Sequence, residues 1–262
     1  MNYLSFFNIT IPSYSIMILL GLIIANIFAY IIIKRSNLLI DDLILIETYA
    51  LSFGMLGAKF LYLFISRKDI DFTRILDWNY IQPYIKGGFV FYGGFIGGLL
   101  GIYLVKIIHK VDVITYLSKL IFCIPLAHGF GRIGCYMAGC CYGVPYNGPL
   151  SITYYDIPYT LCNVSLFPIQ LVEAISLFLI AIILFYLVVK NKGSTKLILY
   201  YFISYSILRF FIEFYRYDSA RGSIWFLSTS QWISIAILIS SIFILFKPLK
   251  QLTFQTSSKS RG

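Results

Sequence analysis

Charged residues are scarce in this chain of 262 residues. Asp, Glu, Lys and Arg together make up 12% of it, and only 11 residues are acidic. Soluble domains carry about 25% charged residues, so the composition excludes an ordinary soluble domain. Hydrophobic residues account for 59% of the chain, and the mean hydropathy is +0.83. These values predict a protein that crosses a lipid bilayer several times.

Seven apolar runs are long enough to cross about 30 Å of hydrocarbon, which takes roughly 17–25 residues of helix. They cover residues 14–34, 42–66, 87–108, 113–131, 168–190, 196–216 and 225–246. We therefore predict an all-α membrane protein with seven transmembrane helices. We expect one domain over residues 1–246, followed by a polar tail at 247–262.

The distribution of basic residues predicts the orientation of these helices. With the N-terminus outside, 12 of the 21 Lys and Arg residues fall on the inner side and eight on the outer side, while Lys59 lies inside the second run. This excess favours an outside N-terminus and a cytoplasmic C-terminal tail. The net charge of +10 is explained by topology and by attraction to anionic lipids, so we predict no nucleic-acid partner.

The segment 128–143 places a single arginine among glycines and cysteines at the end of an apolar run. A charged side chain at membrane depth indicates a functional site. Arg132 and nearby backbone N–H groups could converge on an anion, because a guanidinium matches phosphate geometry; capping carbonyls at a helix break is an equally good explanation. The glycines that permit positive φ and close approach to a ligand are Gly131, Gly134, Gly139 and Gly143.

The third apolar run carries glycines at every fourth position, namely Gly93, Gly97 and Gly101. They share one helical face, and small residues there allow a second backbone to pack closely. Their predicted role is packing rather than chemistry.

Two titratable side chains have more than one candidate role. Tyr92 lies just inside the outer end of the third run, where a phenol suits an interfacial anchor or a proton carrier. His128 precedes Arg132 by one helical turn and suits a general base or a hydrogen bond to a neighbouring helix.

Acidic and basic side chains also stack near the outer end of the sixth run. Arg209, Glu213 and Arg216 are spaced four and three residues apart, which puts them on one helical face. Because burying charges is costly, the group indicates a lipid-phosphate site, with a structural ion network as the alternative. Gln170 and Glu173 in the fifth run also need polar partners inside the protein.

The five cysteines form neither a Cys-x-x-Cys pair nor a recognisable zinc motif. Cys135, Cys140 and Cys141 are too few, and His128 has the wrong spacing, for a tetrahedral zinc site. We predict no metal and no cofactor. A disulfide from Cys135 or Cys141 to Cys162 fits an oxidising face, and small buried fillers are the other explanation.

The chain resembles the phosphatidylglycerol–prolipoprotein diacylglyceryl transferase family over nearly its whole length. The strongest similarity is the segment 131–143, with its Gly-Arg-x-Gly opening and terminal glycine. Four further segments resemble family motifs in the same order: 14–17 (Tyr-Ser-Ile-Met), 87–97, 167–173 and 209–216.

The resemblance implies an enzyme of the bacterial cytoplasmic (inner) membrane that moves the diacylglyceryl group of phosphatidylglycerol onto the lipobox cysteine of a prolipoprotein signal peptide. Glycerol phosphate is released. Arg132 and Arg209 would bind the lipid phosphate, Glu213 and Arg216 would orient the arginines, and Tyr14 would line the headgroup pocket. The glycines expected at the lipid site are Gly131, Gly134 and Gly143. We expect the protein to act as a monomer.

Two positions depart from the family pattern. Tyr92 occupies a site where many members have histidine, and Cys135 one where they often have asparagine. The acceptor thiol, with an unperturbed pKa of about 8.5, could be activated by the arginines, by Tyr92 as a catalytic proton carrier, or by His128. These departures leave two alternatives open: a paralogue with a different acceptor, and a membrane thiol–disulfide protein that uses its cysteines.

Overall fold

The computed structural model describes residues 3–6, 9–74, 76–155, 161–190, 194–217 and 223–246. Helices dominate these residues. They are α1 Ser13–Arg35, α2 Ile40–Ile65, α3 Trp78–Lys86, α4 Phe91–Ile108, α5 Val113–Leu120, α6 Cys123–Ala138, α7 Ile169–Val189, α8 Lys196–Ile212 and α9 Thr229–Phe246. Short 3-10 helices follow α2 at Ser66–Lys68 and α8 at Glu213–Tyr215, and another spans Phe72–Arg74.

Three small antiparallel hairpins complete the described secondary structure. They pair β1 Tyr3–Phe6 with β2 Ile9–Pro12, β3 Ile152–Thr153 with β4 Ser165–Leu166, and β5 Ser223–Ile224 with β6 Leu227–Ser228. The prediction of a helical membrane protein is confirmed at this level. The predicted polar tail at 247–262 lies outside the described residues.

Five of the seven predicted runs form helices long and apolar enough to cross a membrane, namely α1, α2, α7, α8 and α9. The chain is therefore a multi-pass membrane protein. The run predicted at 87–108 begins only at Phe91 and forms a shorter apolar helix. A sixth span results if α5 and α6 are counted together. The number seven and the orientation stay predictions.

The run predicted at 113–131 is not one continuous helix. It is interrupted at Ile121 and Phe122, between α5 and α6. Pro125 explains the interruption: in a continuous helix its ring would collide with the Ile121 carbonyl, and its nitrogen could donate no hydrogen bond. In the first turn of α6 that missing donor breaks no intrahelical bond. The restarted helix then continues to Ala138, past the predicted end at 131.

The described residues fall into two compact units, one formed within residues 1–26 and 121–262 and the other within residues 27–120. In the second unit, α4 packs closely on α2 through glycines, as its four-residue spacing predicts. A Cβ atom at these glycines would overlap backbone atoms of α2. The contacts are Gly93 with Gly57, Gly97 with Phe53, and Gly101 with Tyr49.

Lys59 lies within the apolar helix α2, and its ammonium group is held there by hydrogen bonds. Its Nζ donates hydrogen bonds to the carbonyl oxygens of Tyr84, Ile85 at 2.9 Å and Gly87 at 2.6 Å. These carbonyls are at the C-terminal end of α3, where unpaired oxygens carry partial negative charge. Lys59 therefore caps α3, and its ammonium group stays hydrogen-bonded near the end of an apolar helix.

In the first unit, α6 packs against α7 and the start of α1. A Cβ at Gly129 would meet the ring of Phe178 on α7, and one at Gly134 would meet Tyr14 and Met17 on α1. The core of α7 includes Ile169, 2% exposed, and Leu177, fully buried. This packing holds the C-terminal half of α6 beside the start of α7, where the polar residues of the first unit meet.

Candidate active site

Glu173 is the centre of a buried ion-pair network at the start of α7. Its Oε2 lies 3.1 Å from Arg132 Nε and 3.8 Å from Arg216 Nη1. The exposed fractions of the side chains are 1% for Glu173, 13% for Arg132 and 2% for Arg216. One carboxylate from α7 therefore joins an arginine of α6 to an arginine that follows α8.

Arg209, on the last turn of α8, forms a second ion pair in the same region. Its Nη2 lies 2.5 Å from Glu213 Oε2, one turn further along the chain, and donates a hydrogen bond to Ser230 Oγ at 3.2 Å. Its Nη1 is buried, with no hydrogen-bond partner among the described residues. A buried donor without a partner is costly, so this nitrogen is available to an anionic ligand.

The two ion pairs form one electrostatic group, which we call the arginine–glutamate cluster: Arg132, Arg209, Arg216, Glu173 and Glu213. The charges of Glu173, Glu213 and Arg216 all act on Arg209. Three guanidinium groups against two carboxylates leave one net positive charge. Since charges interact strongly in a poorly solvated interior, the cluster is suited to binding a singly charged anion such as a phosphodiester.

Backbone pairing places Arg216 in the cluster. The chain leaves the helical conformation after Tyr215, and Arg216 forms a β-bridge with Gly143. The neighbouring Val144 N donates to Tyr215 O at 3.0 Å. A Cβ at Gly143 would lie 2.5 Å from the Phe167 carbonyl oxygen. Glycine at this position therefore allows the backbone at 143 to lie against Phe167.

Most glycines of the segment 128–143 do not adopt the positive φ that a glycine permits. Gly131 and Gly134 are helical because α6 continues to Ala138, and only Gly139 has a positive φ, of 69°. Gly131, Gly134 and Gly143 therefore do not use the positive φ that glycine permits. At Gly134 the close approach is to Tyr14 and Met17 of α1, whereas a Cβ at Gly131 would meet no atom outside the backbone of its own helix within 4 Å.

Tyr14 and His128 lie beside the cluster. Tyr14 packs on Gly134, is 41% exposed, and interacts electrostatically with Arg132. The His128 ring meets the Tyr205 ring edge to face at 5.5 Å between centroids. The phenol of Tyr205 in turn interacts electrostatically with Glu173 and the three arginines of the cluster.

Sequence reasoning missed Tyr205 and undervalued Glu173. Tyr205 precedes Arg209 by four residues on α8, a spacing that puts both on one helical face and could have revealed it. Gln170, a further candidate, donates from Nε2 to the Cys140 carbonyl at 2.9 Å. It therefore fastens the turn after α6 to the start of α7.

Comparison with known proteins identifies the family. A sequence model described as prolipoprotein diacylglyceryl transferase matches residues 2–247. The chain belongs to this family. A phosphatidylglycerol–prolipoprotein diacylglyceryl transferase of Clostridium tetani is 35% identical over 238 residues, covering 91% of this chain and 93% of its own length. One from Clostridium perfringens is 38% identical over 241 residues, covering 91% of each chain, and one from Finegoldia magna is 31% identical over 257 residues, covering 95% of each.

In this prolipoprotein diacylglyceryl transferase family member, the two unusual positions have distinct settings. Tyr92 is on α4, in the unit formed within residues 27–120, and its side chain is 54% exposed. Cys135 is buried on the last turn of α6. All five cysteines lie in the described part of the chain and none of them is disulfide-bonded there. The described residues do not favour a thiol–disulfide protein over a transferase.

Proposed function

We propose that this protein transfers the diacylglyceryl group of phosphatidylglycerol to the thiol of a lipobox cysteine in prolipoproteins, releasing glycerol phosphate. The arginine–glutamate cluster is the observation that carries this proposal, because its one net positive charge and the unpartnered Arg209 Nη1 suit a lipid phosphodiester. The names of the relatives support the same reaction. The protein acts as a monomer in the bacterial cytoplasmic membrane.

The proposed topology has seven spans with the N-terminus outside. Five helices qualify alone, α5 and α6 form a sixth, interrupted span, and the shorter apolar helix α4 is the seventh. Residues 1–246 then make up one catalytic domain, and the tail at 247–262 lies in the cytoplasm. In this topology the cluster is near the outer face, where secreted prolipoproteins arrive.

The proposed reaction is a displacement at the carbon of the diacylglyceryl group that bears the phosphate. The acceptor cysteine loses its proton, its sulfur forms a bond to that carbon, and the carbon–oxygen bond to phosphate breaks. Glycerol phosphate departs with the electron pair, so its phosphate gains negative charge. Guanidinium groups held in place before the reaction stabilise that charge without having to reorganise.

The ion pairs give the three arginines of the cluster different roles. Arg132 uses Nε to contact Glu173, which leaves its two terminal nitrogens for phosphate oxygens. Arg209 is held by Glu213 and Ser230 and presents Nη1. Arg216 and the two glutamates act as positioning residues, because they fix the guanidinium planes rather than contact the reacting atoms.

The remaining candidates contribute to binding or proton transfer. Tyr14, beside Gly134 and partly exposed, lines the headgroup pocket, and Gly131 leaves space for the lipid because no other atom would meet its Cβ. Gly143 pairs with Arg216 through a β-bridge and so holds the backbone of Arg216 beside the turn after α6. The candidates for accepting the thiol proton are His128, one turn before Arg132, and Tyr92 on α4.

Reconstitution tests the proposal directly. Purified protein is mixed with phosphatidylglycerol and a peptide carrying a lipobox cysteine, and mass spectrometry follows the peptide. We expect a mass increase of one diacylglyceryl group together with release of glycerol phosphate. A peptide in which serine replaces the cysteine is the control. Absence of lipidated peptide, with protein that is folded and lipid that is accessible, would overturn the proposal.

A further inference from the structure

Three cysteine sulfur atoms meet where α6 ends. The Sγ atoms of Cys135, Cys140 and Cys141 all lie within 4.8 Å of one another. Their spacing along the chain indicates no metal site, because Cys135 is separated from the other two and no fourth ligand follows at a usual distance. In the folded chain, however, these three potential ligand atoms lie close together.

The backbone of this turn is arranged so that the sulfurs converge. Gly139 ends α6 in the left-handed conformation, and Cys140 N donates to Cys135 O at 3.1 Å, as in a Schellman turn. Cys141 is also left-handed, with a φ of 58°. Residues with a Cβ rarely adopt this conformation, and such strain concentrates at functional sites. Small buried fillers would not require it.

Burial and charge suit a bound cation with several thiolates. Cys135 is buried while Cys140 is exposed, so the group has a dry side and a side that an ion can reach. Arg216 pairs through a β-bridge with Gly143, two residues after Cys141. Three thiolates around a divalent ion carry one net negative charge, which the guanidinium group of Arg216 offsets.

We propose that Cys135, Cys140 and Cys141 form a three-thiolate site for Zn²⁺, with the fourth position open to water. Thiolates favour Zn²⁺ over hard cations such as Mg²⁺. Zinc–sulfur bonds of about 2.3 Å place the sulfurs of a tetrahedral site about 3.8 Å apart, which small side-chain rotations achieve. Three protons are released on binding and no oxidant is needed. The proposed transfer does not use these three thiols, because its reacting thiol belongs to the substrate.

Titration with Cd²⁺, a spectroscopic substitute for Zn²⁺, tests the site in the full chain. We expect one ion per purified molecule, seen as ultraviolet sulfur-to-cadmium absorption. Replacing Cys141 with serine weakens the affinity by at least about tenfold, and replacing all three cysteines removes the absorption. The matched control, C123S combined with C162S, retains it. Equal loss in that control, or no absorption in the unaltered protein, overturns the proposal.

A second measurement needs no variant and therefore does not depend on variants that fold. The unaltered protein is alkylated with iodoacetamide with and without Zn²⁺, and mass spectrometry reports modification at each cysteine. We expect Zn²⁺ to protect Cys135, Cys140 and Cys141 and to leave the modification of Cys123 and Cys162 unchanged. Uniform protection of all five, or protection of none, contradicts a site formed by these three thiols.

Discussion

Glu173 and Arg132 form an ion pair across two helices, with 3.1 Å between Oε2 and Nε. Only 1% of the glutamate side chain is exposed. The same carboxylate oxygen is 3.8 Å from Arg216, so Glu173 separates two guanidinium groups that would otherwise repel each other. The negative charge of this one side chain is therefore needed to assemble the proposed phosphate site.

Replacing Glu173 with glutamine should destabilise the protein strongly. The substitution preserves the shape of the side chain but leaves two buried arginines without their shared counter-charge, and breaking a buried pair in this way costs about 3–5 kcal/mol. Unfolding in detergent micelles measures the change. The control is Asp77→Asn, which removes the charge from an ion pair with Arg74 whose side chains are 42% and 57% exposed, and which should leave unfolding unchanged.

Replacing Arg132 with lysine should lower the rate of lipid transfer at least tenfold. A tenfold loss corresponds to about 1.4 kcal/mol of transition-state stabilisation. Lysine keeps the positive charge, but a single ammonium cannot contact Glu173 and hold two phosphate oxygens as a guanidinium does. Initial rates of peptide lipidation provide the measurement, and Arg74→Lys, at a side chain that is 57% exposed, is the matched control. A near-normal rate for Arg132→Lys would make Arg132 a structural residue.

The sequence predicts those features of the molecule that depend on local pattern. Apolar runs identify the helices, and the four-residue spacing of Gly93, Gly97 and Gly101 correctly predicts close packing. The interruption before α6 has a local signal in Pro125, but length alone suggested one span. Local pattern is sufficient for the helices and for the glycine face of α4, because the spacing of residues within one helix encodes both.

Features that depend on contacts between helices could not be predicted in the same way. Glu173 shares its carboxylate between Arg132 and Arg216, which are distant in sequence, and its own helix shows only that it needs some partner. The convergence of Cys140 and Cys141 on Cys135 depends on a left-handed turn, which no helical or strand period describes. Both sites involve backbone conformations or neighbours that periodicity does not encode.

Gly97→Ala should destabilise the unit that contains α2 and α4. The added Cβ would overlap the Phe53 carbonyl, a backbone atom that cannot rotate away, and such overpacking costs about 1–3 kcal/mol. The neighbouring Gly98→Ala is the control, because its Cβ would lie 3.5 Å from the nearest atom, Ala50 O, and alanine favours the helix. Thermal unfolding should separate the two variants, and equal stabilities would contradict close packing at Gly97.

The pH dependence of the transfer rate should distinguish His128 from Tyr92 as the acceptor of the thiol proton. His128 lies on α6 one turn before Arg132, and a general base contributes about 10²–10⁴ in rate. A protonated base cannot accept another proton, so the rate of the unaltered protein should fall as the pH drops. His128→Asn should slow the reaction and move the fall to higher pH, so that the rate follows ionisation of the substrate thiol near its usual pKa of about 8.5. Tyr92→Phe should keep the profile of the unaltered protein, because the exposed phenol then serves only as an interfacial anchor. The opposite pair of profiles would assign proton transfer to Tyr92 and leave His128 with its ring contact to Tyr205.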